Sequence, residues 1–433
     1  VRKDGGAFDL PIAVGIVHSR QLRPRVRERL LVAGELALDG RVRPVRGALL
    51  LAEYARARGF AGLVLPADNG AEAALVEGIR VYPVRTLREA VEVLAGELNP
   101  PAPPRVDVEP RVDGSVDFGD VAGQGEARLA AEVAAAGGHN LMLVGPPGSG
   151  KTMIARRVGT IMPAPAMDEA LETTRIHSVA GLLNGRPLVA ERPFRAPHHT
   201  CSPAGLVGGG SSPRPGEVSL AHNGVLFLDE LPEFQRTCLE SLRQPVEDGH
   251  ATIVRVQLAV TFPARFMMVA AMNPCPCGYR GSTARVCTCG ERAAGRYLHR
   301  ISGPLLDRFD LFVDVQPLRT RQLMEPAEAE SSAAIAARVQ GARALQAERF
   351  RRTRSVRCNG QMNSRQLRRY VALDRPSRRL LERYADEHEL SPRVLHRTCK
   401  VARTLADLQG GGPVTEETVL QSLSLQRARW ESF

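Results

Sequence analysis

The feature that most constrains this chain is an apolar strand that runs into a glycine-rich turn between residues 141 and 152. The segment reads Leu-Met-Leu-Val-Gly-Pro-Pro-Gly-Ser-Gly-Lys-Thr, a strand followed by the pattern G-x-x-x-x-G-K-T. Such a turn wraps backbone N–H groups round phosphates at a helix N-terminus, where the helix dipole also favours anions. Met153–Ile161 has the character of the required helix. The sequence therefore predicts a P-loop that binds ATP, with contacts from Gly145, Pro146, Pro147, Gly148, Ser149, Gly150, Lys151 and Thr152.

A second apolar strand, Val225–Leu228, ends in two carboxylates. In a P-loop enzyme Lys151 is expected to reach the β- and γ-phosphates, and the Thr152 hydroxyl to ligate Mg²⁺. Asp229 is expected to hold the water shell of the Mg²⁺ ion, and Glu230 to polarise the attacking water. A strand that ends in Asp-Glu can also be an ordinary helix start, but together with the P-loop it favours ATP hydrolysis.

A third strand, Phe266–Met272, places Asn273 at the same edge of the predicted sheet. A neutral amide at this position could orient the lytic water against the γ-phosphate. Asn273 also precedes Pro274 and is a turn former, and both descriptions can hold at once.

The apolar pattern divides the chain into an N-terminal α/β block, a parallel-sheet core and a helical end. In the first block Leu10–Val17, Gly62–Leu65 and Val81–Val84 are predicted strands, and Leu49–Arg58 and Leu87–Leu98 are predicted helices. Prolines at 100, 101, 103, 104 and 110 indicate a semi-rigid linker. The predicted organisation is an N-terminal domain at 1–98, a linker at 99–114, an ATPase core at 115–318 and a basic helical lid at 319–433.

The predicted lid carries most of the net charge. Residues 331–433 contain 19 Arg, one Lys and ten acidic residues, which gives +10 of the total +11. A basic segment of this kind indicates an acidic partner, with nucleic acid first, although a solvated helical surface with scattered ion pairs has the same composition.

Four cysteines stand close together in the predicted core, as Cys275-x-Cys277 and Cys287-x-Cys289. Glycines at 278, 281 and 290 could form the turns that wrap thiolates round an ion, so Zn²⁺ is the favoured occupant. The one-residue spacing is tighter than that of most zinc knuckles, and free thiols or disulfides are the alternatives. The other cysteines are scattered and are expected to be ordinary half-buried thiols: Cys201, Cys238, Cys358 and Cys399.

Longer stretches resemble one family. The P-loop, the Asp-Glu strand, the strand-end Asn and the following helical domain resemble AAA+ ATPases. Three segments are similar to the magnesium-chelatase-like ATPases of the ComM/YifB type, which are competence-associated branch-migration motors. They are Arg195-Ala-Pro-His-His199-Thr-Cys-Ser, Asn273-Pro-Cys-Pro-Cys-Gly278 and Arg300-Ile-Ser-Gly-Pro-Leu-Leu-Asp-Arg-Phe-Asp310. The resemblance covers essentially the whole chain.

The resemblance implies roles for further residues. Arg308 matches the arginine finger that contacts ATP in a neighbouring subunit, and Arg300 is a second candidate for that interface; a salt bridge from Arg308 to Asp307 or Asp310 is the structural alternative. Arg393 matches the sensor arginine of the lid that reaches the γ-phosphate. The segment from Val121 to Gln124 matches the one that cradles adenine. A finger acting in trans implies a ring, and a hexamer is the usual form of the family.

The resemblance also implies two elements that face a central pore. Gly181–Arg195 matches the helix-2 insert, and Glu247–Thr261 matches the hairpin before the third strand, with Arg255 near its tip. Arg255 and the lid are therefore candidate DNA contacts, although an exposed hairpin arginine is usually only solvated. A structural role near the active site is expected for His198-His199.

The N-terminal block resembles part of a Lon protease domain, through Lys3–Ala7 and Gly40–Gly47. The family match places Ala7 at the nucleophile and Leu49 at the lysine base. Neither side chain can do that chemistry, so proteolysis is not expected. The Lon-like domain of the family begins before this point, so we expect the block to be truncated.

The sequence thus predicts an α/β fold: a P-loop AAA+ core, a helical lid and a small Lon-like N-terminal domain. The expected protein is a ring-forming ATPase that couples ATP hydrolysis to DNA translocation or branch migration, with Mg²⁺ and Zn²⁺ as metals. The rivals are the ATPase subunit of magnesium chelatase, an ATP-dependent protease and a nucleotide-gated scaffold. No apolar run of 18 residues and no signal peptide appear, so a cytoplasmic protein without membrane spans is expected.

Overall fold

The computed structural model describes residues 6–21, 29–103, 109, 111–210, 213–255, 258–281, 285–317, 329–353 and 356–426. The chain divides into two compact units. The first comprises Val1–Arg111 with Pro165–Ala190, and the second comprises Val112–Ala164 with Glu191–Phe433.

The first unit is a small α/β fold round a three-stranded parallel sheet, with strands in the order β1 (Leu30–Val32), β4 (Gly62–Pro66) and β5 (Arg80–Val84). Alternate residues of β4 and β5 pack on opposite faces. Val64 and Val84 pack in one apolar cluster, and Leu63 and Leu65 in another. The elements are α1 Asp9–Gln21, β1 Leu30–Val32, β2 Glu35–Leu36, β3 Val42–Arg43, α2 Ala48–Ala57, β4 Gly62–Pro66, α3 Gly70–Ala73, β5 Arg80–Val84, α4 Leu87–Ala95 and, after the P-loop, α7 Met167–Ala180.

The predicted strand at Leu10–Val17 is wrong, because these residues lie in helix α1. Leu10 and Val14 are buried, whereas Ile12 and Ile16 are 55% and 57% exposed. A half-buried strand would bury all four of these residues on one face. Burial at positions i and i+4 is the helical period, and the short apolar run could not distinguish the two.

The second unit contains the strands β6 Leu141–Val144, β7 Phe194–Arg195, β8 Gly208–Gly209, β9 Arg214–Pro215, β10 Val225–Leu228, β11 His250–Arg255, β12 Leu258–Pro263, β13 Met267–Met272 and β14 Leu311–Asp314. Its helices are α5 Gly125–Gly137, α6 Lys151–Ile161, α8 Pro203–Val207, α9 Glu217–Leu220, α10 Arg236–Ser241, α11 Arg243–Asp248, α12 Glu291–Leu298, α13 Gly303–Leu306, α14 Ser332–Phe350, α15 Ser364–Tyr370, α16 Arg375–Glu387, α17 Pro392–Leu408 and α18 Glu416–Ser424.

Five parallel strands form the centre of the second unit, in the order β14-β6-β13-β10-β7. Both faces are covered, as the near-continuous apolar strands predicted. Leu141 and Leu143 pack in a cluster with α5, α6 and α14, whereas Met142 and Val144 pack in a cluster with α10 and α13. The predicted α/β class with a covered parallel sheet is confirmed.

The C-terminal end is helical, as predicted, and each of its five described helices is opened by a side chain that accepts an N-terminal N–H in the first turn. The capping residues are Ser331, Asn363, Asp374, Ser391 and Thr415. Helix α17 lies between two clusters. Val401 and Leu405 join the core of the sheet, and Ala402 and Ala406 join a separate cluster with Leu381. This helix therefore ties the lid helices to the ATPase core.

Part of the basic charge of the lid is internal. Asp407 on α17 is fully buried and bonds Arg349 at 2.5 Å and Arg403 at 3.0 Å. Asn359 donates a further hydrogen bond to the same carboxylate. These arginines neutralise a buried acid and are not available to an external partner.

Parts of the predicted organisation lie outside the described residues. These are Lys3, residues 104–108 and 110 of the linker, and residues 318–328 at the start of the predicted lid. The domain bounds given above remain a proposal. The division into compact units differs from them, since residues 165–190 cluster with the N-terminal unit and the predicted core and lid share the second unit. Among the helices described, none is both long and apolar enough to cross a membrane.

We expect Asp407→Ala to destabilise the second unit by about 3–5 kcal/mol, because it leaves two arginines without their buried acid. The urea midpoint of the corresponding far-UV circular dichroism transition should fall. The matched control is Asp386→Ala, an exposed acid on α16 whose removal should change stability by less than about 0.5 kcal/mol. Equal midpoints for the two variants would contradict the proposed role of the network.

Candidate functional site

The carboxyl ends of three neighbouring parallel strands form the candidate site. Strand β13 lies between β6 and β10, and its last residue, Met272, is in register with Val144 of β6. The P-loop leaves β6, Asp229 and Glu230 follow β10, and Asn273 follows β13. Sheet topology therefore brings together the three segments that the sequence singled out. Ligands bind at this edge in open α/β sheets.

The P-loop backbone requires glycine at three positions. Gly148 and Gly150 have φ of +76° and +95°, a region that other residues rarely adopt. At Gly145 a Cβ atom would lie 2.2 Å from the carbonyl oxygen of Val315, so a side chain has no room. The loop then opens helix α6 at Lys151, and the free N–H groups of that helix end can bind an anion.

Lys151 lies at the centre of the site and is only 9% exposed. Its Nζ donates to the carbonyl oxygens of Gly145 at 2.7 Å and Pro146 at 2.9 Å, and to Oδ1 of Asn273 at 3.2 Å. Burial lowers the pKa of Lys151 to about 8, and the carboxylates of Asp229 and Glu230 oppose this shift. The ammonium is thus held in place by neutral acceptors that a phosphate can outcompete.

Asp229 and Thr152 form the predicted pair of magnesium ligands. The Thr152 hydroxyl donates to Oδ2 of Asp229 at 2.7 Å, so both oxygens already lie next to each other. The other carboxylate oxygen of Asp229 accepts the Glu230 backbone N–H at 3.0 Å. Hydroxyl and carboxylate oxygens are the ligands that Mg²⁺ prefers.

Glu230 adopts a strained backbone conformation, with φ of +52°. A non-glycine residue in the left-handed region is uncommon, and such strain concentrates at functional sites. Its Oε2 lies 3.3 Å from Nδ1 of His199, whose ring lies against that of His198 with a centroid separation of 4.1 Å. The histidine pair, expected near the active site, is therefore in contact with the proposed catalytic carboxylate.

The segment from Val121 to Gln124, which the resemblance assigns to the adenine, contacts the P-loop through Gln124. Val121 is buried in the core, and Gln124 donates from Nε2 to the carbonyl oxygens of Ser149 at 3.3 Å and Gln316 at 2.6 Å. The Ser149 hydroxyl is buried and has no hydrogen-bond partner among the described residues. The loop thus brings together the unused Ser149 hydroxyl, the Lys151 ammonium and the Thr152–Asp229 pair. These are the donors and acceptors that ATP with Mg²⁺ requires.

The two arginines assigned by the resemblance, Arg308 and Arg393, contact acids outside the P-loop. Arg308 forms an ion pair with Glu247, and Arg393 lies 3.9 Å from Asp307. The alternative partners expected for Arg308 are thus wrong: Asp307 lies near Arg393, and Asp310 accepts the Asn140 backbone N–H. Arg300 pairs with Glu233 at 2.9 Å. Within one chain, the ion-pair partners of these arginines are not P-loop residues.

The hairpin predicted at Glu247–Thr261 is present as β11 and β12, which pair antiparallel with Arg255 opposite Leu258. The side chain of Arg255 lies outside the described residues. In Gly181–Arg195, the segment compared with the helix-2 insert, the only regular element described is the short strand β7 at its end.

The four clustered cysteines meet in space. All four Sγ atoms lie within 4.8 Å of one another, and none forms a disulfide. The pKa of Cys277 is lowered to about 5, chiefly by a hydrogen bond from the Tyr279 backbone N–H. Gly278 and Gly281 have positive φ, as the predicted turns require, whereas Gly290 is extended at −70° and could be another residue.

Sequence reasoning missed Tyr297 on α12. Burial, with help from Glu233, raises the pKa of Tyr297 to about 12, and an interaction of its hydroxyl with the Asn273 backbone opposes this shift. A single tyrosine 24 residues beyond Asn273 carries no motif that could have revealed this contact. Only the folding back of α12 onto the strand end produces it.

Three family models match the chain almost end to end. The model described as magnesium chelatase, subunit ChlI, matches residues 117–323, and its C-terminal counterpart matches residues 329–426. A model described as subunit ChlI of Mg-chelatase matches residues 1–69.

Full-length relatives give the same assignment. An uncharacterized protein of Mycobacterium tuberculosis is 44% identical over 98% of this chain and 84% of its own length. Competence protein ComM of Haemophilus influenzae is 41% identical over 97% and 82%, and the uncharacterized protein YifB of Escherichia coli is 39% identical over 98% and 82%. With these matches on top of the P-loop core, the chain belongs to the magnesium-chelatase-like AAA+ ATPase family that includes ComM and YifB.

Proposed function

We propose that this protein hydrolyses ATP and uses the energy to move along DNA, driving branch migration in recombination of incoming DNA. The observation that carries the ATPase step is the convergence of Lys151, Asn273, Thr152, Asp229 and Glu230 at one sheet edge. The DNA step is supported by 41% identity to a protein named for competence and by the exposed basic surface of the lid.

Each residue has a role that follows from its position. Lys151 neutralises the β- and γ-phosphates, and Thr152 and Asp229 hold Mg²⁺, which when bound screens the phosphate charge. Glu230 polarises the attacking water, and Asn273 orients it. The contact with His199 restrains the Glu230 carboxylate, and Val121 and Gln124 border the base.

Arg308 acts on the nucleotide of a neighbouring subunit in this proposal. Its pairing with Glu247 within one chain fits a finger that has no local phosphate to contact. Arg393 lies beside Asp307 and so belongs to the same surface; we propose that it contacts ATP as a sensor, with Arg300 as a further interface residue. This arrangement requires a ring of identical subunits, and we propose a hexamer in the cytoplasm.

The exposed arginines of α15 and α16 form the proposed DNA surface, to which Arg255 on the hairpin is added as a weaker candidate. Seven arginines on these two helices are exposed, and none forms an ion pair within the described part of the chain: Arg365, Arg368, Arg369, Arg375, Arg378, Arg379 and Arg383. Exposed guanidinium groups that form no ion pair are available to contact phosphate. After the internal pairs of Asp407 are discounted, this surface holds seven of the exposed arginines of the lid.

The second candidate is the ATPase subunit of magnesium chelatase, in which ATP hydrolysis serves metal insertion into a porphyrin. All three family models carry that description, including the one that matches residues 1–69. The N-terminal block therefore does not separate the two functions. The name of the ComM relative favours the DNA motor. Proteolysis is disfavoured, since Ala7 and Leu49 bear no reactive group.

The binding of ATP should depend on pH through Lys151. Because bound phosphates keep Nζ protonated, binding takes up a proton once the pH exceeds the lowered pKa of about 8. The affinity for a non-hydrolysable ATP analogue with Mg²⁺ should be level below about pH 7 and fall by up to tenfold per pH unit above about pH 8. Calorimetric titrations of the analogue at pH values across this range measure the affinity. Lys151→Arg is the control, since a guanidinium keeps its charge and should remove this dependence; constant affinity of the unchanged protein at high pH would contradict the assignment.

Mixing two inactive variants tests the trans finger. Arg308→Ala should lower ATP turnover by roughly 10³–10⁵-fold, as for other fingers, and Glu230→Gln should abolish it. In mixed rings an Arg308→Ala subunit keeps its own Glu230 and receives Arg308 from a Glu230→Gln neighbour. Random mixing in equal amounts should therefore restore turnover at roughly a quarter of the interfaces. Absence of rescue at every mixing ratio would rule out action in trans.

The DNA surface is tested with the triple variant Arg378→Ala, Arg379→Ala and Arg383→Ala. Each phosphate that the variant no longer neutralises should reduce the slope of log affinity against log salt by about 0.7 for single strands and 0.9 for duplex. Fluorescence anisotropy at several salt concentrations measures both affinity and slope.

A matched control removes the same charge from three exposed arginines of the N-terminal unit, Arg56, Arg58 and Arg88. The control should leave the slope unchanged and ATP turnover intact. Equal losses of affinity in the two triple variants would show that net charge, and not this surface, binds DNA.

A further inference from the structure

The segment between β13 and α12 is a long loop with few buried side chains, and its four cysteines can explain how it is ordered. Residues 273–290 contain no described helix or strand, and a loop of this length inside a compact unit is uncommon. Outside residues 282–284, which the structure does not describe, few of its side chains are buried: Pro274 and Cys275 are, whereas Val286 is 84% exposed. Apolar burial is therefore too small to order the loop, and small loop-rich segments of this kind usually depend on a metal or disulfides.

The thiols occupy the corners of a single-ion site. The Sγ of Cys275 lies 3.4 Å from that of Cys277 and 3.7 Å from that of Cys287, and the last two are 3.6 Å apart. Four sulfurs at 2.3 Å from one tetrahedral Zn²⁺ are separated by about 3.8 Å. A disulfide would need about 2.05 Å, and a multi-iron cluster would hold the sulfurs farther apart. Backbone N–H groups of Cys277 and Cys289 donate to Sγ atoms of the cluster, which favours thiolates.

The same loop is fastened to the nucleotide site at two points. Cys275 is two residues from Asn273, and Gly278 is packed so closely on the P-loop that a Cβ atom would lie 2.4 Å from Cδ of Pro147. At the far end of the loop, the hydroxyl of Tyr297 on α12 interacts with the Asn273 backbone. The loop that carries the cluster thus begins at the residue proposed to orient the attacking water and packs on the P-loop.

We propose that Cys275, Cys277, Cys287 and Cys289 bind one Zn²⁺ ion, and that this ion positions Asn273 against Lys151 and the P-loop. The four cysteines act as positioning residues for the ATP site, because none of them lies among the groups that contact the phosphates. The metal site stands independently of the proposed function, whereas its effect on turnover rests on the ATPase proposal.

Metal analysis of the purified full-length chain tests the first part. We expect about one zinc per chain, and below about a tenth of that in the double variant Cys287→Ser, Cys289→Ser. Cys399→Ser, a half-buried thiol of the lid, is the matched control and should keep its zinc. Cys287→His should also keep it, since three thiolates and one imidazole form a common zinc site. Zinc no higher in the unchanged chain than in the double variant, or iron in its place, would overturn the proposal.

Reversible zinc removal from the unchanged chain tests the second part without a folding defect. A chelator should lower kcat roughly tenfold to hundredfold, the cost of a misplaced positioning group, while the KM for ATP changes much less. Added zinc should restore kcat. A chain that binds zinc but keeps its kcat after removal would overturn the positioning role. A chain that binds zinc but has no ATPase activity at all would instead refute the proposed function and leave the metal site standing.

Discussion

The buried ammonium of Lys151 is the interaction on which the rest of the site depends. A buried cation is costly unless acceptors surround it. Two P-loop carbonyls and the Asn273 amide supply them, and Asp229 and Glu230 add attraction from the next strand. The lysine therefore links the P-loop to Asn273, which lies 122 residues further along the chain. The covered parallel sheet, the glycine backbone and the two carboxylates all serve to hold one positive charge where phosphates bind.

Elsewhere in the molecule, some arginines pair with acids and others are exposed at the surface. Asp407 holds two arginines inside the lid, and Arg308 and Arg393 pair with acids near the end of the core. The arginines on α15 and α16 remain exposed. In the C-terminal segment, with its net charge of +10, some arginines therefore pair with buried acids and others are exposed, and composition could not distinguish the two groups.

Sequence patterns were most reliable where one local rule applied. The strands β6 and β10 were predicted residue for residue, because each apolar run leads directly into a motif, the P-loop glycine or the Asp-Glu pair, that fixes where the strand ends. The helix α1 was mistaken for a strand, since its short apolar run fits both periods until the burial of Leu10 and Val14 is known. The contacts of His199 with Glu230 and of Tyr297 with Asn273 were not predictable, because each joins segments that are distant along the chain.

The sequence by itself determined the P-loop, the carboxylate pair and the four thiols, since each is a short motif whose spacing carries the chemistry. Its resemblance to the ComM/YifB family also held over nearly the whole length. Only the tertiary structure decided which acids neutralise which arginines, that the thiols come within 4.8 Å of one another, and that their loop packs on Pro147. The physical reason is that ion pairing, metal geometry and close packing depend on distances between residues far apart in sequence, which are set when the parallel strands assemble.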